Sequence, residues 1–226
     1  MEITYYGHSC FSAKINGKHI LFDPYITQNS LANHIDVDSI KADYIFVSHA
    51  HYDHIFDATR IAKNTGAKII GNFEIYNWLT KNGVENAFPM NPGGKFTFDF
   101  GTVKCVVAQH SSSFEDGTYG GIASGFIINS DSGNFYYSGD AALSLDMKLV
   151  VDFVQPDFAV FPIGDLLTMG VEEAIAAAKL VGVSNVMGVH YDTFGFIMLD
   201  KEKAFADFKN NGLQLHLPEI GATIEL

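Results

Sequence analysis

The sequence predicts an α+β protein, a four-layer αββα sandwich in which two mixed β-sheets pack face to face with helices on both outer surfaces. Two observations predict this fold class. Each half of the chain begins with apolar runs typical of strands, and each half then changes to alternating helix and strand patterns. No linker, repeat or low-complexity segment interrupts the 226 residues, which suits a single domain over residues 1–226.

The first half opens with strand patterns and then changes to helix–strand units. Its strand patterns are ITYY, CFSAKI, HILFD, ADYIFVSH and AKII. The NGK turn at residues 16–18 predicts a hairpin between two of them. One helix is predicted over HIFDATRIAKNTG, with Gly66 as its stop, and another over NFEIYNWLTKNG, with Asn72 as N-cap and Gly83 as terminator.

The second half repeats this order. Its strand patterns are KFTFDFG, TVKCVVAQH, GFIINS, NFYYSGD, DFAVFPIGD and NVMGVHY. Its helix patterns are SLDMKLVVDFV, VEEAIAAAKLVG and KEKAFADFKNNG. Thr168 suits a cap or near-cap position for the second of these helices. LQLHLPEIGATIEL is predicted to close the fold as a strand pair.

The composition favours some classes of protein and disfavours others. Hydrophobic residues make up 47% of the chain and charged residues 18%, which supplies a buried core and argues against disorder. The formal net charge of −12 disfavours nucleic acid as a partner. No apolar run approaches the ~20 residues that a membrane span needs. The mean hydropathy of +0.10 leaves room for a homo-oligomeric interface.

The cysteines and the N-terminus indicate where the protein works. Cys10 and Cys105 are too few and too far apart for a disulfide framework, so we expect buried free thiols in a reducing compartment. The first residues, MEITYYGHSC, lack the cationic start and apolar run of a signal peptide. We therefore expect a cytoplasmic protein.

The segment HAHYDH, which follows the ADYIFVSH strand pattern, carries the strongest chemical signal. Neutral imidazoles and carboxylates are the usual ligands of zinc and similar divalent ions when thiolates are absent. His49 and His51 are two residues apart in an extended segment, so both side chains can point toward one ion. Asp53 and His54 follow where the chain turns into a helix, and we expect them to face a second ion.

One segment does not complete two metal sites, and three further candidates follow apolar strand patterns. His110 ends TVKCVVAQH, Asp140 ends NFYYSGD, and His190 ends NVMGVH. A lone histidine is more often structural or solvated. Three such residues in a chain that also contains HAHYDH predict a shared metal centre.

These residues resemble those of the metallo-β-lactamase fold superfamily. Within it, the chain is similar to a bacterial group of metal-dependent hydrolases related to ascorbate-phosphate lactonase. The resemblance spans essentially the whole chain, through YYGHSCF, LFDPY, SHAHYDHI, QHSSSF, YYSGDAAL, PIGDLLTMG and GVHYDTF. It implies the αββα sandwich, with the metals at one edge between the two sheets.

The resemblance also implies a dinuclear site with seven ligands. It assigns one ion to His49, His51 and His110, the other ion to Asp53, His54 and His190, and a bridging position to Asp140. Ala50 stands where diiron, oxygen-reducing relatives tend to have a carboxylate, which favours hydrolysis over redox chemistry. Zinc is the expected metal, and manganese and iron are the alternatives, because imidazole and carboxylate suit all three.

The predicted reaction is metal-assisted hydrolysis of an ester-like or lactone bond in a small molecule. Two ions a few Å apart lower the pKa of a shared water and give a bridging hydroxide, and they polarise the substrate oxygen that gains charge. Asp53 would orient that hydroxide. The alternatives are a phosphodiesterase or nuclease and, outside the enzyme class, a non-catalytic metal-binding sensor.

Two further residues are predicted to support the site. Asp23 in LFDPY is expected to hold the ligand segment by hydrogen bonds, with an Asp-Pro turn as the alternative. His8 in GHSC is expected near the site mouth as a catalytic or substrate-facing group, or as a group that supports the metal ligands, with a plain loop histidine as the alternative. Asp57 is predicted to be solvated or to cap a helix.

Several loop residues have open roles. The hydroxyls of Ser111 to Ser113 bind an anionic group or fix their loop. Asp165 and Thr168 are candidates to line the pocket. Tyr191 either donates to an oxyanion or packs in the core.

Overall fold

Two β-sheets of seven strands each dominate the computed structural model, which describes residues 1–226. The first strands along the chain are β1 (Glu2–Gly7), β2 (Cys10–Ile15), β3 (Lys18–Phe22), β4 (Tyr44–Phe46), β5 (Lys68–Gly71) and β6 (Ala87–Pro89). They are followed by β7 (Lys95–Phe98), β8 (Gly101–Val107), β9 (Ser124–Ser130), β10 (Gly133–Tyr137), β11 (Phe158–Pro162), β12 (Asn185–Val189), β13 (Gln214–His216) and β14 (Thr223–Glu225).

The two sheets repeat one arrangement of strands. The first sheet has the order β14-β1-β2-β3-β4-β5-β6, and the second has the order β13-β12-β11-β10-β9-β8-β7. In the first sheet, β1 to β3 are antiparallel neighbours and β3 to β6 are parallel. In the second, β7 to β10 are antiparallel and β10 to β13 are parallel. Hairpins thus build one side of each sheet, and crossover connections build the other.

Five α-helices and three short 3₁₀ segments complete the fold. The helices are α1 (Tyr52–Ile55), α2 (Ala58–Thr65), α3 (Phe73–Lys81), α4 (Val171–Val181) and α5 (Lys201–Asn210). The 3₁₀ segments are Ser30–Ala32, Val37–Ser39 and Leu145–Asp152.

Three buried apolar clusters separate four layers. The central cluster lies between the sheets, where Phe22 packs on Phe135 with ring centroids 5.8 Å apart and Phe46 packs on Phe126 at 5.0 Å. A second cluster lies between α2, α3 and the first sheet, and a third lies between α4, α5 and the second sheet. The predicted αββα sandwich is therefore confirmed.

The helix predicted after the HAHYDH segment is broken in two. It divides into α1 and α2 because the backbone N–H of Asp57 donates to the oxygen of Pro24, at 3.0 Å, instead of continuing a helical ladder. Asp57 occupies the N-cap position of α2, which was one of its two predicted roles, although its side chain makes no capping hydrogen bond. It is buried, so the alternative of a solvated residue is wrong. Its carboxylate accepts from the backbone of Ile26 and from both the backbone and the hydroxyl of Thr27.

One other helix prediction needs correction, because the SLDMKLVVDFV pattern forms a 3₁₀ segment rather than an α-helix. Helix α4 is capped by Gly170, whose N–H donates to the Glu173 carboxylate at 3.0 Å. Thr168 lies two residues before this cap, so the near-cap alternative is the correct one. Strand β6 had no sequence signal that we recognised.

The prediction that the closing segment forms a strand pair is also wrong. β13 runs parallel to β12 in the second sheet, whereas β14 runs antiparallel to β1 in the first. The chain crosses between the sheets, since Tyr5 exchanges backbone hydrogen bonds with Gly221 and Ala222. Each strand thereby covers an open edge of a different sheet.

None of the helices combines the length and the apolar character required to cross a membrane.

Candidate metal centre

The predicted metal ligands lie at one edge of the sandwich because the strands that precede them run in the same direction. β9 is antiparallel to both β8 and β10, so β8 and β10 share a direction, and β12 is parallel to them. Their carboxyl ends deliver His110, Asp140 and His190 to the same edge. β4 delivers the HAHYDH segment from the first sheet.

Backbone hydrogen bonds join the two sheets at this edge. The N–H of Ser124 donates to the oxygen of Ser48 at 2.9 Å, and the N–H of His190 donates to the oxygen of His8 at 2.9 Å. Three residues here have positive φ angles, namely His8 (53°), Asp23 (42°) and His190 (57°). Residues other than glycine rarely adopt a positive φ angle. Strained backbone of this kind clusters at functional sites.

Two groups of side chains converge at this edge. The first group contains His49, His51 and His110, whose nitrogen atoms lie within 4.8 Å of one another. Nε2 of His49 is 2.8 Å from Nδ1 of His51. The second group contains Asp53, His54 and His190, together with His8, again within 4.8 Å.

Asp140 lies between the two groups. Its Oδ2 atom is 2.9 Å from Nε2 of His190 and 3.2 Å from Nε2 of His54, both in the second group. The same oxygen is 3.7 Å from Nε2 of His110, in the first group. The structure thus brings together all seven residues that the sequence predicts as metal ligands.

Buried atoms without partners show that this arrangement fits a cation. His54 Nε2, Asp140 Oδ1 and His190 Nδ1 are buried and accept or donate no hydrogen bond within the protein. Burial would lower the pKa of His54, but the charges of Asp140, Asp23 and Asp53 outweigh it and raise that pKa. The position of His54 therefore favours positive charge.

The protonation states of the other groups also suit a divalent ion. Burial lowers the pKa of His49 and of His51, and it lowers the pKa of His110 to about 4. These imidazoles are therefore neutral at pH 7, which is the form that binds metal. Burial raises the pKa of Asp140, but His190 and His54 reverse this effect and hold the pKa below its usual value. Neutral imidazoles and ionised carboxylates are a ligand set for zinc and similar ions.

Asp23 fixes the orientation of the ligand segment, as the sequence predicts. It is fully buried, and its Oδ1 accepts from the backbone N–H of Ser48 at 2.7 Å. Its Oδ2 accepts from the Ser48 hydroxyl at 2.6 Å, from Nδ1 of His54 at 2.8 Å and from the Tyr137 hydroxyl at 2.5 Å. Nε2 of His54 is consequently turned toward Asp140. Ser48 and Tyr137 had no sequence signal of their own.

His8 lies behind Asp53 and not at the cavity surface. It is 1% exposed, and its Nε2 is 3.0 Å from Oδ2 of Asp53. Its Nδ1 is 3.0 Å from the hydroxyl of Thr193. Burial lowers the pKa of His8 to about 4, so the ring is neutral and only one nitrogen carries a proton. A carboxylate only accepts, so Nε2–H donates to Asp53 and Nδ1 is an acceptor. The Thr193 hydroxyl can donate to this Nδ1, although the oxygen of Tyr191, at 3.3 Å, is a second and longer acceptor for the same proton. His8 is thereby placed to position Asp53.

The serines after His110 have different roles. The hydroxyl of Ser112 accepts from the N–H of Ala50 at 3.1 Å and donates to the oxygen of Gly120 at 2.9 Å, so it fixes the ligand loop. Ser111 and Ser113 face the cavity above the metal centre.

That cavity has a volume of about 540 Å³, and it is open to solvent. Its floor includes Asp53 and Asp140, and its rim is apolar, with Leu167, Phe194 and Phe196. Asp165 lines a different cavity beside α4, and neither Asp165 nor Thr168 lines this one. Tyr191 is buried and stacks on Tyr5 with ring centroids 6.3 Å apart, in keeping with core packing. The rim residues were not predicted as site residues, although Phe194 lies in the GVHYDTF segment.

Fold and site together define a metal-dependent hydrolase of the metallo-β-lactamase superfamily, and comparison with known proteins agrees. Residues 18–191 match the family model of the beta-lactamase superfamily domain. A UPF0173 metal-dependent hydrolase of Christiangramia forsetii is 49% identical over 227 residues, and one of Methylacidiphilum infernorum is 48% identical over 226. Both alignments cover 100% of each chain. Igni18, a metallo hydrolase from Ignicoccus hospitalis, superimposes with a TM-score of 0.86 at 33% identity, covering 99% of this chain and 97% of that one.

The chain therefore belongs to the UPF0173 metal-dependent hydrolase family of the beta-lactamase superfamily.

Proposed function

We propose that the metal centre holds two divalent ions, with zinc as the expected metal and manganese or iron as the alternatives. The first group, His49, His51 and His110, would bind one ion. Asp53, His54 and His190 of the second group would bind the other. Asp140 supports this division, because its Oδ2 atom lies near histidines of both groups.

The proposed reaction is hydrolysis of an ester-like or lactone bond in a small molecule. Divalent ions held by these residues would supply hydroxide at neutral pH and would polarise the substrate oxygen that gains negative charge. Asp53 forms part of the cavity floor, and its Oδ2 is held by Nε2–H of His8. Oδ1 of Asp53 is then available to accept a hydrogen bond from the attacking water and orient it.

The ionisation of Asp53 supports this role. Burial alone would raise its pKa, but the charge of His54 and the hydrogen bond from His8 hold the pKa below its usual value. Asp53 therefore remains a carboxylate across the neutral range and accepts rather than donates. His8, in turn, supplies a hydrogen bond to Oδ2 of Asp53.

One observation carries the proposal: the histidine and aspartate cluster forms the floor of an open cavity of about 540 Å³, large enough for a small substrate. A sensor that only stores metal has no need of such an opening. A nuclease is disfavoured because no lysine or arginine lines the cavity and the chain carries a net charge of −12.

The test is a hydrolysis panel. Metal-stripped protein is reloaded with zinc, manganese or iron and then assayed against esters, lactones and phosphodiesters. We expect metal-dependent turnover of an ester or lactone, and loss of turnover together with a reduced metal content in His51→Ala and Asp140→Ala. Turnover of phosphodiesters alone would support the nuclease alternative, and no turnover with any metal would support the sensor.

We further propose that residues 1–226 act as one hydrolase domain in the cytoplasm. Cys10 and Cys105 are both free and buried, which suits a reducing compartment. In a reducing compartment, we expect both thiols to remain free.

A further inference from the structure

A second cavity, which is mostly apolar, opens beside the metal cavity. Its volume is also about 540 Å³. We call it the apolar slot, and its apolar walls are Ala50, Tyr52, Ile55, Phe56, Trp78 and Phe114. Tyr52 and Phe114 also line the metal cavity, so the two cavities share a wall.

The slot is built by residues that other contacts hold in place. The ring of Trp78, on α3, stacks on Phe114 with centroids 5.0 Å apart and an interplanar angle of 17°. Tyr52, at the start of α1, packs edge-on against Tyr25 at 5.6 Å. Tyr52 directly precedes Asp53 in the sequence. Tyr52 therefore connects a wall of the slot to the cavity floor where hydrolysis would occur.

The charges around the slot select against anions. Glu115 lines both cavities and Asp116 lines the slot, whereas no lysine or arginine lines either one. Outside the metal ligands, the walls thus offer no positive charge to pair with a phosphate or a carboxylate. They offer instead apolar and aromatic surface, on which burial of each methylene group is favourable.

We propose that the apolar slot binds the non-reacting part of the substrate, and that this part is an uncharged alkyl or aryl group. The inference rests on the hydrolase function proposed above and narrows its substrate class. The substrate is then an ester or lactone with an apolar substituent and without a phosphate group. Phe56 and Trp78 are specificity-determining residues that never touch the reacting bond.

Binding can be measured directly because Trp78 is the single tryptophan of the chain. The metal-loaded protein is titrated with acetamide, butanamide and hexanamide, which are uncharged and resist hydrolysis, and tryptophan fluorescence is recorded. We expect saturable changes, with hexanamide binding about tenfold more tightly than butanamide because two more methylenes are buried. Equal affinity across the series, or no change in fluorescence, would overturn the proposal.

Two matched substitutions separate the slot from general surface effects. Phe56 is 43% exposed and lines the slot, whereas Phe205 is 44% exposed on α5 and lines neither cavity. We expect Phe56→Glu to weaken hexanamide binding about tenfold or more, since it places a charge in the slot. Phe205→Glu should bind hexanamide like the wild type. Equal effects of the two substitutions would contradict the assignment.

A charged probe tests the second half of the proposal. In metal-stripped protein, hexanoate should bind more weakly than hexanamide at low ionic strength, and Glu115→Gln should strengthen hexanoate binding about threefold while leaving hexanamide binding unchanged. Tighter binding of hexanoate than of hexanamide to the wild-type slot would refute the preference for uncharged groups.

The failure of this proposal is distinguishable from failure of the hydrolase function. Ester or lactone turnover that is independent of chain length, with no fluorescence response, would refute substrate binding in the slot and would still support the hydrolase function. A fluorescence change that depends on chain length, without any turnover, would support the slot as a ligand site and would refute the hydrolase function.

Discussion

Single residues outside the ligand set determine how the imidazoles face the metal centre. Nδ1 of His49 is 2.9 Å from the Ser48 hydroxyl, which itself donates to Asp23 and therefore accepts from His49. Nδ1 of His54 donates to Asp23 directly. Both rings consequently present Nε2 to the centre, and the metal affinity depends on these outer partners as well as on the ligands.

Asp23→Asn should weaken metal binding about tenfold to a hundredfold and destabilise the fold by about 2–4 kcal/mol. The reason is that an amide NH₂ group cannot accept from the donors that the buried carboxylate now satisfies. Metal titration and urea unfolding measure the two effects. Asp99→Asn is the control, because Asp99 is exposed and accepts from Tyr44. A wild-type metal affinity in Asp23→Asn would contradict the role of Asp23.

Thr193→Val should lower kcat about tenfold without loss of bound metal. Valine has the shape of threonine but no hydroxyl to donate to Nδ1 of His8, so Nδ1 loses its hydrogen bond and the ring that donates to Asp53 is held less firmly in place. Nitrogen-15 NMR of the His8 ring reports the tautomer, and steady-state kinetics reports the rate. Thr193→Ser should restore both, and an unchanged His8 spectrum in Thr193→Val would refute this relay.

At the scale of elements, the N-terminus of α3 is hydrogen-bonded to the loop between β8 and β9, which begins near His110. Asn72 was predicted from the sequence as the N-cap, and its side-chain oxygen does accept from the N–H of Ile75 at 2.9 Å. Its amide also donates to the oxygens of Gly120 and Ile122, at 2.7 and 3.1 Å. The helix cap therefore also holds the loop that Ser112 contacts from the other side.

Asn72→Ala should destabilise the protein by about 2 kcal/mol or more, since both a cap and two buried hydrogen bonds are lost. Asn72→Asp separates the two roles: it retains the cap acceptor but places a carboxylate against two carbonyl oxygens. We expect Asn72→Asp to be at least as destabilising as Asn72→Ala in urea unfolding. A nearly wild-type stability of Asn72→Asp would show that the cap alone matters.

At the scale of the whole molecule, the two cysteines lie in different layers of the sandwich. Cys105 belongs to the central cluster between the sheets, and Cys10 belongs to the cluster between the first sheet and its helices. Burial raises the pKa of Cys105 to about 12 and raises the pKa of Cys10 as well. Both therefore remain protonated thiols and poor nucleophiles at neutral and mildly alkaline pH.

Neither thiol should react with a disulfide reagent at pH 8 while the protein is folded, and both should react after unfolding in guanidinium chloride. Colour release by a thiol-specific reagent measures this. Because the thiols report two different layers, reaction of one in the folded protein would show that its layer opens independently.

Much of the architecture could be predicted because its signals are local. Turns such as Asn16–Lys18, the stop at Gly66 and the cap at Asn72 lie beside the elements that they delimit. The helix break at Asp57 and the separation of β13 from β14 could not be predicted this way. Both depend on partners distant in sequence, namely the Pro24–Thr27 segment and strand β1.

The same distinction holds at the candidate site. The HAHYDH segment and the residues at strand ends were predicted from the sequence, and the structure brings them together. The contact of His8 with Asp53, the four bonds at Asp23 and the shared wall of the two cavities had no local signal. They arise only when the edges of the two sheets meet.

Metal stoichiometry is the decisive measurement, because we propose that each chain holds two divalent ions between its sheets. Metal-stripped protein is reloaded with zinc, desalted and analysed by inductively coupled plasma mass spectrometry together with His110→Ala and His190→Ala. Each substitution removes a candidate ligand from a different group. We expect about two ions per wild-type chain and about one in each variant. A wild-type chain that retains one ion, or variants that retain two, would contradict this proposal.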